Sequence, residues 1–177
     1  MPHPLTFVAA LRRFRRNRRG SAAVEFAMIA PMFIALLFAI LESAMVFFAS
    51  QVLETATQDS ARMIMTGQEQ NAGKTQTDFK AAVCSKIPAL FDCVNGITVD
   101  VRNFPQFATV SLPSPIDANG NYVPPSNYSP GGPGDIVVVR AFYQWPIFVT
   151  GLGFNLADVS GSKKVLTATA AFQNEPY

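Results

Sequence analysis

The longest feature of the hydropathy pattern lies near the N-terminus. Positions 26–41 carry 16 residues without a charged side chain. With 21–24 before it and 43–49 after it, the run forms one apolar stretch interrupted by two carboxylates, Glu25 and Glu42. Residues 21–41 make about 31 Å of helix at ~1.5 Å per residue. That matches a bilayer hydrocarbon core of ~30 Å, so a transmembrane helix is predicted over 21–49. Beyond Glu42 the pattern becomes amphipathic. Val52, Ala56 and Met63, and Leu53, Ala56 and Ile64, recur at roughly helical spacing, with Gln58, Asp59 and Arg62 between them. The helix is therefore expected to continue until Gly67 and the turn signals at 71–73. A second helix is expected over about 75–87, stopped by Pro88.

The pattern then changes to period two. Ile97, Val99 and Val101 alternate with Thr98, Asp100 and Arg102. Residues 107–112, 136–145 and 165–172 are three further candidate strands, the last with Leu166, Ala168 and Ala170 opposite Thr167 and Thr169. Four short strands after two helices predict an α+β architecture, an antiparallel sheet packed on a helical layer. Residues 113–135 hold six Pro and four Gly and cannot be regular structure. Tyr122 and Tyr128 in this loop suit either a partner-binding surface or a variable surface loop. Residues 146–162 hold Phe148, Leu152, Phe154 and Leu156, which form either a contact surface or part of the core.

Charge changes this picture at one end. The 177 residues are 49% apolar and 15% charged, with a net charge of +2. Arg12, Arg13, Arg15, Arg16, Arg18 and Arg19 precede Gly20, where no acid stands. The rest holds 8 basic against 12 acidic residues and carries −4. Arginines beside an apolar helix are retained in the cytoplasm, and near the surface each attracts anionic lipid by about 1 kcal/mol. The apolar run that follows directly argues against a nucleic-acid arm. A cleaved secretory signal fits less well. The run exceeds an h-region of about 7–15 residues, begins with an acid and closes on no A-x-A site.

A carboxylate at position 25 in such a helix costs a few kcal/mol unless neutralised. Glu25 lies one helical turn above Ser21. A cut between Gly20 and Ser21 would give Ser21 a free ammonium able to pair with Glu25, in the same chain or in a neighbour. Alternatively Glu25 reaches the headgroups or is protonated. Pro31 either bends the helix to fit a bundle or is an ordinary transmembrane proline.

Cys84 and Cys93 are the only cysteines. In an oxidising compartment they read as a structural disulfide, contributing roughly 2–3 kcal/mol. A metal site lacks ligands, because the only histidine is His3. No exported histidine is available for a triad, and no G-x-x-x-x-G-K string is present. Asp92, Asp100, Asp117, Asp135 and Asp158 are scattered over loops and polar strand faces. The expectation is a protein that is not an enzyme and needs no cofactor, metal or nucleic acid. A two-carboxylate hydrolase stands as the alternative.

The string Arg18-Arg19-Gly20-Ser21-Ala22-Ala23-Val24-Glu25-Phe26 resembles the prepilin-peptidase site of type IV pilin-like proteins. Residues 20–31 more narrowly resemble the TadE-like pseudopilins of tight-adherence (Flp) pilus systems, and residues 171–177 are similar to the C-terminus common in that family. Phe26 stands where family members often have Tyr, and the related TadF-like and TadG-like proteins share the anchor. The resemblance implies a minor pseudopilin of the inner membrane, with a cytoplasmic leader (1–20), a transmembrane helix (21–49) and a periplasmic pilin-like domain (50–177). It implies cleavage after Gly20, with Ser21, Glu25 and Phe26 part of the processing site and Glu25 and Pro31 serving helix assembly. The implied partners are a prepilin peptidase, other pilins or pseudopilins, pilus assembly proteins and membrane lipids. An uncleaved, membrane-anchored periplasmic scaffold is the alternative.

Overall fold

The computed structural model describes residues 12, 20–87, 91–150 and 155–177. The chain divides into two compact units, Met1–Leu41 and Glu42–Tyr177. In chain order the elements are helices α1 (Ser21–Met65), α2 (Gln68–Asn71), α3 (Gln76–Ser85) and α4 (Cys93–Gly96), then strand β1 (Ile97–Phe104). A 3-10 turn (Phe107–Thr109) and strands β2 (Ile136–Pro146) and β3 (Lys163–Gln173) follow.

Within the first unit, α1 presents apolar side chains in every direction and buries almost none of them. Its most apolar 18-residue window has a mean hydropathy of 2.4, and none of it is buried. The helix is long and apolar enough to cross a membrane. Pro31 lies inside it and removes the N–H that would donate to the carbonyl of Ala27.

Within the second unit, α1 is amphipathic. Val46, Ala49, Leu53, Ala56, Thr57, Ser60, Ala61 and Ile64 form the buried stripe, at the spacing of one helix face. The small residues in it let the sheet approach closely. The helix stops where Gly67 takes φ +74°, a left-handed conformation that glycine adopts without strain. Thr75 caps α3 through a reciprocal pair with Asp78.

Among the described residues three strands pair antiparallel in the order β1-β2-β3. The register sets Val99 opposite Ala141 and Ala141 opposite Ala168. Ile97, Val99, Val101, Val137, Val139, Ala141, Leu166 and Ala168 therefore share one face, which packs with the α1 stripe and with Phe79 and Val83 of α3. Burying each such aliphatic or aromatic side chain contributes about 1.5–3 kcal/mol. Phe91, Tyr143 and Trp145 form an aromatic cluster at one end, with ring centroids 4.9 and 5.6 Å from Phe91. The Cys84–Cys93 disulfide, Cα atoms 5.7 Å apart, ties α3 to the segment that carries Phe91.

Two features depart from the sequence pattern. The expected strand over 107–112 is absent. Phe107–Thr109 is a 3-10 turn, and Phe107 and Leu112 are exposed. The place beside β1 where a fourth strand would pair is occupied by residues 127–129. There Val101 donates to the carbonyl of Asn127 (2.8 Å) and Ser129 donates to the carbonyl of Val101 (2.9 Å). The sheet therefore closes with three strands and a short bridge.

The second departure concerns the Pro- and Gly-rich segment 113–135. Both of its tyrosines are half-buried. Tyr128 packs on Phe79, ring centroids 6.0 Å apart, while Ile116 and Tyr122 pack on Phe142 and Val165. The segment thereby covers the β1 and β2 part of the sheet's second face, while Thr167, Thr169 and Ala171 of β3 stay exposed. That cover explains Asp100, which is not on a solvated polar face but fully buried. Its carboxylate accepts from Arg140 Nη2 at 2.7 Å and Arg102 Nε at 3.0 Å. The N–H of Asn127 in the covering segment adds a third donor at 3.0 Å.

Candidate processing site and assembly helix

The sequence-predicted site begins at Gly20, just ahead of α1. Gly20 is exposed, and the space around its Cα is open. Ser21–Met65 is helical from its first residue, so Ser21 and Glu25 lie one turn apart. Ser21 Oγ donates to Glu25 Oε1 at 2.9 Å. Glu25 thus holds a local hydrogen bond but no cation among the described residues. Ser21, Ala22, Ala23, Val24 and Phe26 are exposed on the first turns of that helix. Arg12 is exposed, and Arg13, Arg15, Arg16, Arg18 and Arg19 lie outside the described residues, as does Pro88.

The second acid of the apolar run behaves differently. Glu42 is buried. Its carboxylate accepts from the backbone N–H of Phe148 and from that of Val149, the latter at 3.1 Å. Sequence reasoning noticed the carboxylate but not its role. The only local signal was an acid in an apolar stretch, and its partners stand 106 and 107 residues away. Of the apolar residues in the 146–162 segment, Phe148 is exposed and Leu156 packs against the core. Leu152 and Phe154 lie outside the described residues.

The C-terminal string singled out by resemblance has a definite structural task. Asn174 is buried, and its Nδ2 donates to the carbonyls of Pro130 (2.9 Å) and Gly132 (3.0 Å). Glu175 N–H donates to the carbonyl of Met65 at 2.9 Å, closing the last turn of α1. The Tyr177 ring lies on Gly67. Beside this clamp, buried Glu69 pairs with Lys74 at 3.1 Å and accepts a long hydrogen bond from Tyr128 at 3.4 Å. Burial of Tyr128, reinforced by the Glu69 charge, raises the phenol above its ordinary value.

This chain thus has an α+β unit continuous with a helix long and apolar enough for a membrane, and a Gly-Ser junction one turn before a helical glutamate. The family model described as TadE-like protein matches residues 20–62. That segment contains the Gly20 to Pro31 motif, the apolar run and most of the helix stripe. No curated protein matches the chain. No solved structure matches it either.

Proposed function

We propose that the protein is a minor pseudopilin that takes part in assembling a tight-adherence type IV pilus. The observation that carries this reading is the TadE-like match over 20–62, which begins at Gly20 and includes Glu25. In this account the arginines hold the leader in the cytoplasm, α1 spans the inner membrane and residues 50–177 lie in the periplasm. A prepilin peptidase hydrolyses the Gly20–Ser21 peptide bond. Water supplies the oxygen of the new Gly20 carboxylate, and Ser21 becomes an α-ammonium.

That new cation supplies a counter-charge for Glu25, which has none among the described residues. A buried charge without a counter-charge is penalised in lipid. Pairing of Glu25 with the Ser21 ammonium of a neighbouring pilin would relieve both groups and fix the axial register of the helices. Phe26 and the apolar exterior around Pro31 supply the lateral packing surface. The head serves as a structural unit. No catalytic step is assigned to it.

The test is complementation of a pilus-deficient deletion strain. Gly20→Leu is expected to leave the leader in place and abolish pili. Glu25→Val is expected to permit cleavage yet abolish pili, because register is lost. Normal piliation by both variants would reject the pseudopilin reading and leave an uncleaved anchored scaffold.

A further inference from the structure

We propose that Glu54 of α1 guards the open edge of the sheet, holding β3 unavailable for strand pairing with β3 of a second copy. This guard belongs to the unit Glu42–Tyr177 and does not depend on removal of the leader.

Strand β2 occupies only one edge of β3. Backbone groups alternate in direction along a strand, so every second residue of β3 turns its N–H and C=O away from β2. Thr169 marks which ones, because its N–H donates to Glu54 Oε2 at 3.3 Å. Val165, Thr167 and Ala171 belong to the same outward set. The start of this edge is closed locally. The N–H groups of Asp158 and Val159 donate to the carbonyl of Lys163, and Val165 N–H donates to Asp158 Oδ1 at 2.7 Å. Beyond that point the edge is bare. The N–H groups of Thr167 and Ala171 have no partner among the described residues, and both side chains are exposed. Residues 165–173 contain no charge and no proline.

Sheets ordinarily blunt such an edge with lysine, proline, a bulge or a covering segment. β1 has a cover in residues 127–129, while the 167–171 stretch of β3 has only Glu54. That carboxylate is itself held in place, since Oε1 accepts from Gln58 Nε2 at 2.7 Å one turn along α1. A second strand pairing over 167–171, in either direction, needs the outward groups of Thr169 at its middle. Glu54 takes that donor and sets a negative charge beside it. Two copies meeting edge to edge would bring two such charges together. A second copy is the strand this edge suits, because the same uncharged run offers matching donors and acceptors on both chains.

The test uses the full chain in detergent, with its disulfide intact. Protein mass is read by light scattering over a range of concentrations, and backbone hydrogen exchange is read across 165–173. Glu54→Ala is expected to raise the mass above that of the native chain, to a dimer or larger species, as concentration rises. Exchange at Thr167 and Ala171 should slow several-fold as that species forms. Adding Thr167→Lys, which puts a charge on the bare stretch without touching the core, should restore the native mass and the fast exchange. A Glu54→Ala chain that keeps the native mass at every concentration would overturn the guard. So would a larger species in which 167 and 171 still exchange fast, because the copies would then meet elsewhere, α1 included. Association that persists with Thr167→Lys would also overturn it, since a surface charge does not rescue a chain that has merely lost stability.

Discussion

The ring of Tyr177 occupies the space that a Cβ at position 67 would need. Gly67 is thus required twice, once for its φ of +74° and once for the close approach of the C-terminal aromatic. Gly67→Ala is expected to cost about 1–3 kcal/mol. At roughly 2–4 °C per kcal/mol, the loss is readable as a lower Tm in detergent. In a Tyr177→Ala background the same change should cost less, because only the backbone strain remains. Equal costs in both backgrounds would show that the ring contact carries no energy.

Asp100 joins two strands and the covering segment through one buried carboxylate. Asp100→Ala would leave Arg140 buried without its acid, at an expected cost of about 3–5 kcal/mol by urea unfolding. Arg102 reaches the same carboxylate from a more exposed position. Arg102→Ala should cost under about 1 kcal/mol. A larger loss at Arg102 than at Asp100 would contradict the assigned network.

These two relationships also mark where the sequence stopped being informative. The apolar run, the α1 stripe and the β-branched alternation of β1, β2 and β3 are local signals, and each forms the element its period predicts. Ser21 over Glu25 follows from helical spacing alone, and the Cys84–Cys93 bond from proximity and compartment. The failures are all long-range. The alternation in 107–112 looked like a strand, but residues 127–129 had taken the edge of β1. Period two correctly placed Asp100 and Arg102 opposite the first core, yet it carries no information on whether that second face meets water. A segment of Pro and Gly covers its β1 and β2 part, and the composition of that segment announces irregular backbone without saying where it packs. Glu42 was visible as a charge, while its partners lay more than a hundred residues on.

Alkaline pH should act through Tyr128. Burial, then the charge of Glu69, raises its pKa above the ordinary 10.0. A raised folded value means that the stability tied to this phenol is fully present below the unfolded pKa. It declines as pH rises through 10 toward the folded value. Unfolding midpoints measured across this range should fall more steeply for the native chain than for Tyr128→Phe. Identical slopes would remove Tyr128 from the pH response.

The disulfide closes the short segment that carries Phe91 into the aromatic cluster. Replacing both Cys84 and Cys93 by Ser is expected to cost roughly 2–3 kcal/mol. Thermal unfolding of the native chain with and without reductant should reproduce that difference. Reductant should have no effect on the double variant. An unchanged Tm on reduction would show that core packing alone positions this segment.

The most direct test of the central claim is the intact mass of the protein recovered from membranes of cells with and without the cognate prepilin peptidase. The account predicts a chain beginning at Ser21 only when the peptidase is present. A chain still beginning at Met1 in peptidase-containing cells would contradict it.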